Sequence, residues 1–179
     1  MIFLDTEFTD LALDPRLLSV GLVDDQSHRE FYAEVTDADR LQAASWFVKA
    51  VVLPQFGKVA HAACSYAVLG TRLATCLGGL TASLDPGALL DVVFDCPLDW
   101  TLVDRALRDA GDSQWASTSR RIRPVNVHAL TGFGAGKRAA AAYFKSQELA
   151  PFWHHHALCD ARALRLAYRD ASAASLTAA

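Results

Sequence analysis

The sequence lacks any marked excess of one charge. Its 17 Lys and Arg stand against 20 Asp and Glu, a formal net charge of −3, so no broad basic surface advertises a polyanion as partner. Paired cysteines are missing too. Cys64, Cys76, Cys96 and Cys159 form no C-x-x-C pair, which argues against a cysteine zinc site or a disulfide framework and suits reduced, mostly buried thiols. Long apolar runs are absent. The longest, Ala139 to Phe144, ends against Arg138 and Lys145, far short of the ~18 apolar residues of a membrane span. The N-terminus reads MIFLDTEF, with carboxylates where a secretion signal has a basic region and then an apolar stretch. A cytoplasmic protein with no membrane association is therefore expected. No Pro/Gly/Ser linker and no internal repeat marks a second domain.

The 179 residues are 52% apolar and 21% charged, a balance that excludes intrinsic disorder. A chain of this length buries roughly 68–70% of its unfolded surface, so one domain over residues 1–170 is expected. The Ala/Ser tail 171–179 is expected to fray or be disordered. Met1 to Asp5, Leu17 to Val23 and Glu30 to Val35 read as three early strands in a meander. Helical spacing follows at Leu41, Ala44, Trp46 and Phe47, and again at Tyr66, Leu69, Leu73 and Leu77, with Gly78-Gly79 and Asp85-Pro86-Gly87 as breaks. Leu89 to Phe94 reads as a buried strand, Trp100 to Leu107 as a helix and Pro124 to Leu130 as a strand, before two Ala-rich helices. Strands first, then alternating helix and strand, predict an α/β domain with a mixed sheet.

Three places carry chemistry. Asp5-Thr6-Glu7 closes the first strand, where side chains two apart face the same way, so both carboxylates share one side and Thr6 takes the other. Two acids this close repel unless a cation sits between them, and oxygen-only ligands select Mg²⁺ or Mn²⁺; a solvated strand end entering a turn is the alternative. His154-His155-His156-Ala157-Leu158-Cys159-Asp160 opens a helical pattern running through Leu164 and Ala167. Its histidines suit zinc, yet no further Cys or His stands at a helix-compatible spacing, and a surface histidine cluster with a satisfied Asp is the other reading. Asp91, Asp95 and Asp99 surround the end of an apolar strand, and Asp99 suits the first turn of the next helix as an N-cap or dipole partner.

Taken in order, D-T-E-F ending the first strand, an Asp opening a helix after a later strand, and H-x-A-x-x-D-A near the C-terminus resemble the DEDDh 3′–5′ exonucleases over roughly residues 1 to 170. The D-T-E-F-T start, L-L-S-V-G-L-V and R-E-F-Y-A are most similar to the compact bacterial exoribonucleases of the RNase AS group. RNase T, oligoribonuclease and the polymerase III epsilon subunit look like more distant relatives. The resemblance implies a ribonuclease H-like α/β fold, a five-stranded mixed sheet with flanking helices. It implies two Mg²⁺ (or Mn²⁺) ions, the first held by Asp5, Glu7 and Asp160 and the second by Asp5 with Asp99, with His155 as general base. Four residues before its Asp the family's second motif usually has Asn, and Asp95 stands there, so either Asp95 or Asp99 is the ligand; Asp99 is preferred because it starts the helix. His156 and Asp160, at i and i+4, would share a helical face, whereas His155 and Asp160 would lie about 140° apart on a regular helix. The family spacing selects His155, which is therefore expected in a loop just before the helix.

The implied substrate is single-stranded nucleic acid, RNA before DNA, shortened from the 3′ end to nucleoside 5′-monophosphates. Thr6, Phe8, Arg120 and Arg121 are the candidate substrate contacts, with Phe8 as a base-stacking platform or a core residue. Ser119-Arg120-Arg121-Ile122-Arg123 and Lys137-Arg138 are phosphate partners or solvated faces. Gly132 to Lys137 is no phosphate loop, since Thr131 replaces its first Gly and Arg138 its Ser/Thr. The family also suggests a homodimer, for which Trp115 and Trp153 are interface or core residues. The rivals are a DNA-directed proofreading exonuclease, an endonuclease of similar fold and a non-catalytic nucleic-acid-binding domain. Two divalent cations would move the net charge from −3 to about +1, so the near-neutral balance does not oppose a nucleic-acid substrate.

Overall fold

In the computed structural model, which describes residues 1–11, 14–26, 29–113, 115–129, 136–146 and 154–177, the early strands form an antiparallel meander. β1 (Ile2–Phe8) pairs with β2 (Leu17–Asp24), and β2 pairs with β3 (Glu30–Val35). After α1 (Ala38–Ala43), a π-helical turn at Val48–Val52 and a 3-10 turn at Leu53–Gln55, the two-residue strand β4 (Ala63–Cys64) joins β3 in parallel. Then α2 (Tyr66–Ala82) carries the chain back across the sheet to β5 (Leu90–Phe94), which lies parallel to β1. α3 (Pro97–Asp109) and the short α4 (Trp115–Thr118) lead to β6 (Ile122–Asn126), parallel to β5. α5 (Lys137–Ser146) and α6 (Ala157–Thr177) follow. The sheet order is β4-β3-β2-β1-β5-β6.

Strand alternation sorts the core into two layers. Ile2, Leu4, Val20 and Leu22 pack with Leu69, Leu73 and Leu77 of α2 and Leu102, Val103 and Leu107 of α3. On the other face Phe3 and Val93 meet Leu164, while Val23 and Tyr32 meet Ala157, Leu158 and Ala161, all of α6. One glycine fixes how closely α6 approaches. A Cβ on Gly21 would lie 2.4 Å from the Ala157 carbonyl oxygen, so only glycine lets the N-terminus of α6 rest on β2. Gly21 is paired with Asp5, and this contact brings the start of α6 to the acid-bearing end of β1.

The α/β class and mixed sheet are as expected, but the sheet has six strands rather than five. The addition, β4, is two residues long, too short to leave a periodic signature. Gly78-Gly79 does not end α2, because burial of Leu69, Leu73, Leu77 and Thr81 along the helix outweighs a propensity cost of about 1 kcal/mol per glycine. α3 begins three residues before Trp100, with Pro97 in the first turn, where its missing N–H is no loss. β6 starts at Ile122 and gives way to a 3-10 turn at Val127–Ala129; Leu130 lies outside the described residues. The Ala/Ser segment continues α6 as far as Thr177, as alanine's high helix propensity favours. Trp115 is a buried core residue, which removes it from any interface, and Trp153 lies outside the described residues, as do Gly132 to Ala135. No described helix is long and apolar enough to cross a membrane.

Candidate metal centre

β1 is the topological switch of the sheet: the chain leaves it on one side through β2 and returns on the other as β5. Such a point opens a crevice beyond the carboxyl ends of the strands. Here it is a cleft of about 380 Å³ lined by the end of β1, the β5–α3 turn, α5 and the start of α6. Asp5, Glu7, Asp95, Asp99, His155 and Asp160 all line it.

Asp5 and Glu7 project toward α6, as their spacing dictates. Asp5, Glu7 and Asp160 offer carboxylate oxygens within 4.8 Å of one another, and Asp5, Asp95 and Asp99 do the same. Asp95 and Asp99, between which spacing left the choice open, stand in the same group but are anchored unequally. Asp99 is buried, and its Oδ1 accepts the Thr6 hydroxyl at 2.7 Å. Its Oδ2 accepts the Cys96 N–H at 3.3 Å, closing a capping box at the start of α3. Asp95 sits exposed on the rim.

The segment before α6 separates its three histidines. His156 is 1% exposed and stacks on Tyr32 at 4.4 Å between centroids, so it belongs to the core. His155 precedes α6, lines the cleft and packs edge-on against Phe47 at 5.0 Å. Its backbone has φ +64°, a left-handed conformation costing a non-glycine residue roughly 1–2 kcal/mol. In return, its N–H donates to Asp160 Oδ2 at 2.9 Å. Gln55, 1% exposed, donates from Nε2 to the carbonyls of His154 and His155 at 3.1 and 3.0 Å. Neither Gln55 nor Phe47 stood out in the sequence, because their partners lie about a hundred residues away and no local spacing announces them.

Electrostatics mark the acids as a set that does not ionise fully by itself. Burial, then Asp160 and Asp99, push Glu7 up to about 9. Burial raises Asp99 and Asp160 to about 7, although hydrogen bonds from Thr6 and from the His155 backbone pull the other way. Asp5 is held well above the usual carboxylate range by burial, then by Asp160, Asp99, Glu7 and Asp95. Burial and His154 lower His155, which favours the neutral, proton-accepting imidazole. The residues fit hard divalent cations by two measures. The donors are nearly all oxygen, and Asp5 Oδ2 and Asp160 Oδ1 are buried with no hydrogen-bond partner among the described residues, a costly state that a cation relieves.

The candidate substrate contacts divide. Phe8 lines the cleft, half-buried against the core, and Lys137 lines it from α5. Thr6 also lines it, with its hydroxyl committed to Asp99. Arg120 and Arg121 are at the wrong end of the sheet. They precede β6, and by strand register Ile122 lies about seven residues back from Glu7, roughly 23 Å along the strand direction. Arg121 instead donates to the carbonyls of Leu84, Asp85 and Ala88, and Arg123 pairs with Asp91. Comparison with protein-family models and with curated proteins finds no match to this chain.

Proposed function

We propose that this chain is a metal-dependent 3′–5′ exonuclease of ribonuclease H-like fold that hydrolyses single-stranded nucleic acid, RNA before DNA, to nucleoside 5′-monophosphates. The observation that carries the reading is the pair of three-carboxylate groups sharing Asp5, with His155 on the same cleft. The antiparallel meander β1–β3 followed by parallel β5 and β6 supports the fold assignment.

Asp5, Glu7 and Asp160 would hold one Mg²⁺ or Mn²⁺, and Asp5 with Asp99 and Asp95 a second. Two such ions supply charge stabilisation to an in-line phosphodiester displacement. The chain's own residues do the rest. His155 takes the proton of the attacking water at its imidazole, and Gln55 and Asp160 keep its backbone in place. Phe8 stacks on a terminal base, and Lys137 meets a phosphate. Thr6 orients Asp99.

Purified protein incubated with 5′-labelled single-stranded RNA and DNA tests this directly. A ladder shortening from the 3′ end with Mg²⁺ or Mn²⁺ and not with chelator is expected. An internal cut would indicate an endonuclease. No cleavage of either polymer, with no cation-induced stabilisation, would reject an enzymatic role.

A further inference from the structure

Asp160 belongs to two groups of donors. Besides its oxygen set with Asp5 and Glu7, it stands with His154 and His155 in a second set whose ligand atoms also lie within 4.8 Å of one another. The donors differ in kind: two imidazole nitrogens and one carboxylate oxygen suit zinc and related borderline ions, whereas the oxygen set suits magnesium or manganese. From this we infer that His154, His155 and Asp160 form a second, overlapping transition-metal site, and that Zn²⁺ bound there blocks the oxygen set by capturing a carboxylate both sites need.

Several features favour a built site over a chance cluster. Ligand atoms around a tetrahedral zinc with bonds of 2.0–2.2 Å lie about 3.4 Å apart, so the three donors need to move by only about an ångström. The imidazoles are already placed. His154 packs on the Phe144 ring at 4.3 Å and His155 on Phe47 at 5.0 Å, and the two rings lie 4.4 Å apart. Both carbonyls of this dipeptide are held by the buried Gln55 side chain. On Asp160, Oδ2 accepts the His155 N–H, while the buried Oδ1 has no hydrogen-bond partner among the described residues and is the atom left for a metal. Three protein ligands leave a further position to water, as in open zinc sites. His154 itself is exposed, so an ion enters from solvent without opening the core.

The site stands on its own donors, whereas the inhibition it causes rests on the nuclease reading. With Zn²⁺ in place, His155 no longer accepts a proton and Asp160 no longer completes the oxygen set.

The test uses Co²⁺ as a spectroscopic stand-in for zinc, added to the metal-free full chain. Visible absorption of a nitrogen-ligated, low-coordinate Co²⁺, displaced by stoichiometric Zn²⁺, is expected. His154→Ala should weaken Co²⁺ binding by at least ~10–100-fold while retaining the melting-temperature increase that Mn²⁺ produces. In the cleavage assay, the Zn²⁺ concentration that halves Mn²⁺-supported turnover should rise at least ~10-fold in His154→Ala. Equal Co²⁺ affinity in the wild type and His154→Ala overturns the inference, as does its loss in His128→Ala, which removes a third histidine lining the cleft, with retention in His154→Ala. Absence of cleavage with the Co²⁺ signature present, and lost in His154→Ala, leaves the zinc site standing and removes the nuclease reading instead.

Discussion

If the acid cluster is built for cations, the metal-free protein should become less stable as the pH rises above neutrality. Glu7 shows this most cleanly. Its carboxyl titrates near 4.5 in the unfolded chain and is raised to about 9 in the fold, so between these values the folded state holds a proton that the unfolded state has lost. The stability contributed by that proton is complete below the unfolded pKa and is lost as pH climbs through the folded one. From about pH 7 to about pH 8.5 the loss integrates to roughly 2 kcal/mol, at about 1.4 kcal/mol per pH unit per proton. For a chain of this size that is ~4–8 °C in melting temperature. The window avoids the histidines. His156, lowered to about 4 by burial, adds stability as the pH rises, but only up to the ordinary histidine pKa near 6.5, above which it is neutral in both states. The window also ends near the ordinary thiol pKa of about 8.5. Thermal melts in chelator at both pH values, repeated with saturating Mn²⁺, read the effect. Wild type should fall by several degrees in chelator and hold or rise with Mn²⁺, which binds the ionised carboxylates. Glu7→Gln should remove most of the fall. An equal fall in Glu7→Gln, or none in the wild type, would refute the assignment of a proton-retaining site to Glu7.

Substitutions at five residues test the other parts of the site. Asp5→Asn removes the ligand common to both carboxylate groups, so cleavage and the Mn²⁺-induced rise in melting temperature should vanish together while the metal-free protein keeps its fold by circular dichroism. His155→Ala should lower turnover ~10²–10⁴-fold with little change in melting temperature. His156→Ala should do the reverse, costing about 3 kcal/mol by truncating a buried, stacked ring; abolished turnover in His156→Ala with near-silent His155→Ala would reverse the two roles. Gln55→Ala leaves two loop carbonyls without their donor and should cost about 1–3 kcal/mol, with a fall in turnover that Gln55→Glu does not restore. Gly21→Ala drives a methyl group into the Ala157 backbone and should cost about 1–3 kcal/mol. It should also weaken Mn²⁺ binding in calorimetry, because α6 carries Asp160.

What the sequence disclosed, and what it withheld, follows from the range over which each signal acts. The acids were legible because each interrupts an apolar strand or opens a helix, positions where a charge shows against its neighbours. The six-strand count was not, because β4 depends on Ala63 and Cys64 meeting Glu34 and Val35 and has no pattern of its own. Arg121 misled because a run of basic residues looks alike whether it faces phosphate or its own backbone carbonyls. Asp95 and Asp99 could not be ranked by spacing. The capping box that anchors Asp99 begins with Cys96, not the Ser or Thr by which such boxes are usually recognised.

His155 shows most clearly why composition and spacing stop short of the site. On a regular helix, i and i+5 residues point apart, which argues against His155 and for His156 as the partner of Asp160. The family spacing nonetheless selects His155, in a loop just before the helix, and the structure places it there, outside α6 and in a left-handed conformation. The roughly 1–2 kcal/mol this costs is offset by a hydrogen bond from its N–H to Asp160 and by the Gln55 amide on its carbonyl. Those partners lie in different elements, so no local rule could foresee the conformation. With it, the His155 ring lines the cleft while His156 sits in the core. In the proposed mechanism the same strained residue would tie the base to a metal ligand: movement of Asp160 toward a cation would draw on the His155 backbone through the hydrogen bond that joins them.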